Sequence, residues 1–162
     1  MEFVDYATAV APRLRGFAYL LCHDWHFAQD LTQTTLAKSY VSWPRVRAAE
    51  DPAAYGRHIL LRVFLDHRRR RSSSELLIAE MPQSGREEQH DLRITLFDAL
   101  SRLPPRDRAI VVLRYWEDHS VNTTAEMLNL PVATVKKQAV RSLVKLRGLL
   151  QDERVGLFAG QG

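Results

Sequence analysis

The sequence predicts an all-α protein that consists of two small helical domains joined by a linker. In two long blocks, apolar residues recur at steps of three and four residues, and neither block shows the alternation of a strand or a hairpin dipeptide. Between the blocks, residues 76–91 are polar and are interrupted by Pro82 and Gly85. This spacer is acidic, with 1 basic and 4 acidic side chains, whereas residues 1–75 have 11 and 8 and residues 92–150 have 10 and 5. Two basic blocks therefore flank an acidic linker.

The composition indicates a folded protein and bears on the cellular compartment in which it acts. Of the 162 residues, 46% are apolar, which is enough for packed cores, and the net charge of +4 favours an anionic partner. No apolar run approaches the roughly 18 residues that span a bilayer, and Glu2 and Asp5 stand where a secretory signal would be basic. The single cysteine, Cys22, cannot form an internal disulfide. We expect a cytoplasmic protein without membrane insertion.

The first block begins with two predicted helices and a loop. An apolar stripe covers residues 3–21, and Pro12 within it predicts either a kink or a helix that starts later. Asp24 is placed to cap a second helix over about residues 25–40. The stretch that follows, residues 44–51, is predicted to be a loop.

A third helix of the first block is predicted from its start signal. Asp51 is followed by Pro52, and the helix that they open runs through residues 53–71 into four consecutive arginines, Arg68–Arg71. Such a run binds phosphates strongly, although it is also common as a solvated helix end. The candidate nucleic-acid contacts on this helix are His58, Arg62, Asp66, Arg69 and Arg70.

The second block is predicted to contain four helical segments. Helical spacing covers residues 92–100, stops at Pro104 and Pro105, and resumes through residues 110–116. Two further helices are predicted, over residues 121–128 and about 132–150. The residues between them, Asn129, Leu130 and Pro131, form a predicted turn.

The last two helices have the spacing of a helix-turn-helix. Ala125 is small where the helices would meet, Asn129 follows four residues later, and Val135 comes six residues after that. A small side chain lets the helices approach, Asn tolerates the left-handed backbone conformation, and Val135 fills the shared core. The pair is therefore a candidate DNA-binding unit.

The outer face of the last helix is basic. Residues 136–147 contain five Lys or Arg residues and no acid, so phosphate contacts are expected, and the same cations donate to guanine edges while Gln donates to adenine. An ordinary solvated basic face is the alternative interpretation, and the helix-turn-helix spacing argues against it. The candidate DNA contacts are Thr134, Lys136, Lys137, Gln138, Val140, Arg141 and Lys145.

Four motifs extend this pattern over the whole chain. They are Asp30-Leu31-Thr32-Gln33-Thr34, then Asp51-Pro52 with Leu65-Asp66-His67-Arg68-Arg69-Arg70, then Leu100-Ser101-Arg102-Leu103-Pro104-Pro105-Arg106, and Thr134-Val135-Lys136. In their order and spacing, over about residues 3–150, they resemble the extracytoplasmic-function sigma factors, and most of all the actinobacterial branch of that group.

The resemblance implies a separate function for each part of the chain. It implies a sigma-2 domain at residues 1–75, an acidic linker at 76–91 and a sigma-4 helix-turn-helix domain at 92–150. Residues 151–162, which end in Gly160, Gln161 and Gly162, carry little helical signal, and we expect a flexible tail there. Asp30, Leu31 and Gln33 would pack on the clamp helices of the largest polymerase subunit. The helix over 53–71, with the loop over 44–51, would read the minus-ten element and accept a flipped base, and the last helix would read the minus-thirty-five element.

The same resemblance implies the partners. They are core RNA polymerase and promoter DNA. An anti-sigma factor is a further possible partner, because many members of the family are controlled by one. No cofactor and no chemistry of its own are expected. No nucleophile stands beside a general base in the sequence and no glycine-rich phosphate loop occurs, which argues against catalysis.

Three other interpretations remain open at this point. Part of the group Cys22, His23, His26 and Asp30 could ligate zinc, although the four do not share one helical face and we expect no metal. The chain could be a stand-alone dimeric helix-turn-helix regulator whose first block senses or dimerises. It could also be a protein-binding adaptor that never touches DNA.

Overall fold

The computed structural model describes the backbone of residues 1–74 and 92–159 and the side chains of residues 1–70 and 96–151. The chain divides into two compact units, Met1–Arg86 and Glu87–Gly162. All the regular structure in the described residues is helical. The predicted linker, residues 76–91, lies outside the described residues.

The first unit contains four helices. They are α1 Phe3–Cys22, α2 Trp25–Val41, α3 Trp43–Ala48 and α4 Pro52–Ser74. Both predicted start signals are confirmed: Asp24 Oδ1 accepts a hydrogen bond from the Phe27 amide at 3.0 Å, and Asp51 Oδ1 accepts one from the Ala54 amide at 3.0 Å. These caps satisfy amide groups that a helix start leaves without an intrahelical acceptor.

The core of the first unit lies where α1, α2 and α4 pack on one another. Leu14, Leu21, Leu60, Leu61 and Phe64 are all nearly inaccessible to solvent. The part of this core that α2 contributes is unusually polar, since three of its buried residues carry hydroxyl groups. Each hydroxyl donates to the backbone carbonyl four residues earlier at 2.7–2.8 Å. Because the carbonyls of the same helix satisfy these hydroxyls, their burial leaves no polar group unpaired. The three residues are Thr32, Thr35 and Ser39.

Two predictions for the first unit were wrong, and one of the two alternatives given for Pro12 is excluded. The predicted loop over residues 44–51 contains α3, because Pro44 is tolerated in a first helical turn and the fully buried Val46 anchors that turn in the core. The α1 helix already starts at Phe3 and continues through Pro12, which excludes the later start that was one of the two alternatives predicted for this proline. The α4 helix extends to Ser74 instead of ending near residue 71, since a serine costs a helix only about 0.5 kcal/mol.

The second unit contains α5 Leu92–Ser101, α6 Pro105–Val111, a π-helical turn over Val112–Trp116, α7 Val121–Leu128 and α8 Val132–Ala159. The helix-turn-helix prediction is confirmed in outline by α7 and α8. A flexible tail was expected after residue 150, but the α8 helix continues to Ala159. Leu, Gln, Glu and Arg residues favour helix here, and no proline interrupts residues 151–159.

A buried arginine joins α5 to α6. Arg108 is only 7% exposed, and its guanidinium donates to three carbonyl oxygens, two in the last turn of α5 and one just after it. The distances are 3.0 Å to Leu100, 3.1 Å to Ser101 and 3.1 Å to Leu103. The carbonyl end of a helix attracts positive charge, so this arginine caps α5 and fixes the turn at Pro104.

Candidate nucleic-acid and protein interfaces

The turn between α7 and α8 has the geometry that its sequence predicts. Asn129 adopts the left-handed conformation, with φ 54° and ψ 49°, and closes α7. The Leu130 amide donates to the Ala125 carbonyl at 2.9 Å, which directs the chain toward α8. Ala125 is 4% exposed and Val135 is fully buried, and both pack with Ile110 in one apolar cluster. This cluster fixes the angle between the two helices.

The outer face of α8 is exposed and positively charged. Lys136, Lys137, Arg141 and Lys145 are exposed, whereas the other two polar candidates, Thr134 and Gln138, are half-buried. The inner face follows the predicted stripe, with Ala139 and Leu146 buried, although Val132 is 37% exposed. The buried Ser142 was not predicted. All four cations thus stand on the surface that a nucleic acid would approach.

Two valines lie among these cations. Val140 is 63% exposed and Val144 is 64% exposed, one helical turn apart. An exposed valine beside Lys and Arg can contact a thymine methyl group, which hydrogen-bonding side chains do not recognise. Val140 was among the predicted DNA contacts, whereas Val144 was not.

The end of α4 forms a second basic surface. Arg62, Arg69 and Arg70 are exposed, and His58 is half-buried. Asp66 accepts a hydrogen bond from Arg69 Nη2 at 2.9 Å, with both side chains more than half exposed. A surface pair of this kind contributes little to stability, but it orients the Arg69 guanidinium. The carboxylate is also a poor neighbour for a phosphate, so Asp66 fits a role in positioning Arg69.

Aromatic contacts anchor the base of this arginine run. The Phe27 ring of α2 and the His67 ring of α4 have centroids 4.4 Å apart. The Arg68 guanidinium carbon lies 6.0 Å from the centre of the Phe64 ring, within the range of a cation–π contact. The sequence pattern did not reveal these contacts, because they depend on how α2 and α4 pack.

The three predicted polymerase contacts on α2 differ in their exposure to solvent. Asp30 and Gln33 are exposed, and their side chains can meet a partner. Leu31 is 2% exposed and belongs to the core. The Leu31 side chain is therefore not on the surface of α2 that a partner can reach, since the helical period turns position 31 inward when positions 30 and 33 face outward.

The four residues considered for zinc do not converge. His23 is 4% exposed, has a left-handed backbone conformation and packs its ring 5.5 Å from that of Tyr19. His26 is exposed on the next helix, and Cys22 Sγ donates to the Asp24 carbonyl at 3.3 Å. Within residues 1–74 and 92–159, as far as side chains are described, no three His, Cys, Asp or Glu residues are arranged to hold a metal.

None of the helices in the described part of the chain has the length and apolarity that crossing a membrane requires.

The chain was compared with families of known proteins. The model of sigma-70 region 2 matches residues 7–74, and the model of sigma-70 region 4 matches residues 93–146. The first match begins within α1 at residue 7 and runs through α2 and α3 to the end of α4, and the second runs from α5 to residue 146 within α8.

Individual relatives and solved structures agree with these matches. RNA polymerase sigma-E factor of Streptomyces coelicolor is 35% identical over 91% of this chain and 85% of its own length. RNA polymerase sigma factor SigV of Bacillus subtilis is 30% identical over 85% of this chain and 83% of its own. The sigma factor RpoE of Bartonella quintana, solved in complex with the anti-sigma factor NepR, has a TM-score of 0.69 at 25% identity, covering 92% of this chain and 96% of that one. On these grounds the chain belongs to the sigma-70 family of RNA polymerase sigma factors, in its extracytoplasmic-function branch.

Proposed function

We propose that the two units act together on one promoter while core RNA polymerase holds them both. Residues 1–75 form the sigma-2 domain that binds polymerase and the minus-ten element, and residues 92–150 form the sigma-4 domain that binds the minus-thirty-five element. The observation that best supports this is the α7–α8 turn, whose left-handed Asn129 and shared core support an exposed basic helix within the region 4 match.

The α8 helix would enter the major groove of the upstream element. Its cations meet phosphates, and Lys and Arg are also the side chains that donate to guanine O6 and N7. Gln138 is half-buried, so it reaches a base edge less freely than Arg141 does. The residues that we assign to this element are Thr134, Lys136, Lys137, Gln138, Val140, Arg141 and Lys145.

The α4 helix would hold the downstream element. Its exposed arginines lie between Arg62, near the middle of the helix, and Arg70, and they can follow a phosphate backbone. A base flipped out of the duplex exposes an edge that pairing hides, at a cost of a few kcal/mol that promoter melting requires in any case. The residues that we assign to this element are His58, Arg62, Asp66, Arg69 and Arg70.

Polymerase would bind through the exposed face of α2, where Asp30 and Gln33 lie. An anti-sigma factor is a further proposed partner, because the similar sigma factor of Bartonella quintana was solved with one. We assign no cofactor and no catalytic step to the chain, and we place its activity in the cytoplasm, where polymerase acts.

The experiment is run-off transcription with core polymerase and a promoter selected for this protein. A transcript that requires the protein supports the proposal. The competing function, a stand-alone dimeric regulator, predicts tight operator binding by the free protein and no effect on core polymerase. The comparisons do not favour that alternative, since it leaves the region 2 match over residues 7–74 without a role. An adaptor that never touches DNA predicts no salt-sensitive DNA binding even with polymerase present.

A further inference from the structure

The exposed face of α8 carries two rows of side chains that differ in character. The residues of the first row, Lys136, Val140 and Val144, are four positions apart, and two of the three are valines. The second row has the same spacing and contains only cations. Its members are Lys137, Arg141 and Lys145. All six side chains are exposed, and residues four apart are neighbours on a helix surface, so the two valines form one apolar strip about 6 Å long.

The valine strip, Val140 and Val144, lies on the same side of the helix as the cations. At about 100° per residue, the two valines are about 40° apart around the helix axis, and Val144 is about 20° from Lys137. The opposite side is the buried one, where Val135 is fully buried and Leu146 is 5% exposed. The valine strip therefore belongs to the surface that the proposed function places in the major groove of DNA.

The fold itself does not require valine at these two positions. Both residues are more than 60% exposed, so they contribute little to the core of the second unit. Valine is also a poorer helix former than the lysines and arginines around it, because its branched side chain is restricted in a helix. The same stiffness means that little conformational entropy is lost when a partner covers the side chain. The strip is therefore well suited to contact a partner.

The charge around the strip indicates that this partner is DNA. Residues 136–147 contain five Lys or Arg residues and no acid, and lysine is depleted in protein–protein interfaces relative to the rest of the surface. In the major groove, the base edges present hydrogen-bond donors and acceptors together with one apolar group, the C5-methyl of thymine. An apolar strip within a cationic surface is complementary to thymine methyl groups between two phosphate backbones.

We propose that Val140 and Val144 recognise thymine methyl groups, so that the upstream element contains two thymines in the part of the groove that faces the valine strip. This inference rests on the proposed function, because it specifies what the same helix recognises. Successive bases of one strand are about 3.4 Å apart along the duplex. The two valines, about 6 Å apart, therefore correspond to two thymines about two base steps apart. The neighbouring cations contact phosphates and guanine edges.

The test is competition binding of the holoenzyme, formed by the full-length protein and core polymerase, to an upstream element selected from random DNA. Each thymine of this element is replaced in turn by deoxyuridine, which lacks the methyl group and keeps every hydrogen-bonding group. At two positions about two base steps apart, this replacement should raise the Kd about fourfold, as expected for the loss of one buried methyl group. At other positions the Kd should change less than twofold.

Two protein variants identify which valine contacts which methyl group. Val140→Ala and Val144→Ala should each weaken binding to the thymine-containing DNA about fourfold, and each should abolish the effect of deoxyuridine at one position only. Alanine is the better helix former, so both variants should fold, which thermal unfolding followed by circular dichroism checks. The matched control is Val4→Ala, since Val4 is 71% exposed on α1 in the first unit. It should retain the full effect of deoxyuridine at both positions.

The outcomes distinguish this inference from the proposed function. If no deoxyuridine replacement changes the Kd more than twofold while Arg141→Ala weakens binding, α8 binds the element without recognising methyl groups and only the inference is wrong. If the valine variants weaken binding to the thymine and deoxyuridine DNAs equally, or weaken binding to core polymerase, the strip contacts the DNA backbone or a protein, and the inference is again wrong. If the holoenzyme selects no upstream element, both the inference and the proposed function are wrong.

Discussion

The hydroxyl group of Tyr6 on α1 lies directly against the backbone of Gly56 on α4, in the space that a side chain at position 56 would occupy. Tyr6 is 2% exposed, and its hydroxyl donates to the Pro52 carbonyl at 3.3 Å. Burial raises the pKa of this phenol, so the hydroxyl remains a donor. The glycine therefore sets how closely α1 approaches the helix that bears the arginine run.

Replacing Gly56 by alanine should destabilise the first unit. A new methyl group would overlap the Tyr6 hydroxyl, and overpacking costs about 1–3 kcal/mol, whereas the helix gains only about 1 kcal/mol from losing a glycine. The double variant Gly56→Ala with Tyr6→Phe should recover most of the loss, because the nearest remaining ring atom lies 3.7 Å away, at ordinary contact distance. Urea denaturation of the four proteins of this cycle measures the coupling. If the two substitutions changed the free energy of unfolding additively, Tyr6 and Gly56 would not be in contact.

Arg108 should be essential to the stability of the second unit. Arg108→Met would leave three carbonyl oxygens without their donor and should cost about 2–4 kcal/mol. Arg108→Lys should also be destabilising, since an ammonium group is compact and cannot reproduce the planar fork. Hydrogen exchange of the α5 and α6 amides reports the change, and the exposed Arg106→Lys is the control. Unchanged exchange in Arg108→Met would contradict this account.

Substitutions at Asn129 should follow its backbone conformation. Glycine adopts φ 54° without strain, so Asn129→Gly should stabilise the second unit by about 0.5 kcal/mol. Asn129→Ala should destabilise it by about 1 kcal/mol. The control is Asn122→Ala, which lies within α7 and should change stability little. A higher melting temperature for Asn129→Ala than for Asn129→Gly would contradict this prediction.

Arg141 tests whether α8 reads bases. With polymerase present, Arg141→Ala should lose about 1–3 kcal/mol of affinity for the selected upstream element and little on a scrambled one. Competition binding on the two DNAs measures this difference. Arg102→Ala serves as the control, because Arg102 is not part of α8 and its guanidinium is paired with the Asp98 carboxylate at 3.4 Å. Equal weakening on both DNAs would make Arg141 a phosphate contact.

The sequence was sufficient where the decisive interactions are local. Asp24 and Asp51 cap their helices within three residues, and the turn at Asn129 depends on a short motif, so all three were predictable. The residues that were missed depend on tertiary packing. Val46 forms part of a helix because the core buries it. Arg108 was not recognised because its acceptors lie on another helix.

In the proposed function, both units bind one promoter only when polymerase holds them together. Two modest interfaces on one scaffold gain effective concentration, whereas the separate free units do not. The most direct measurement is a footprint of the same promoter DNA with this protein alone and with the protein bound to core polymerase. We expect the holoenzyme to protect both elements and the free protein to protect neither at the same concentration. Full protection of the upstream element by the free protein would contradict it.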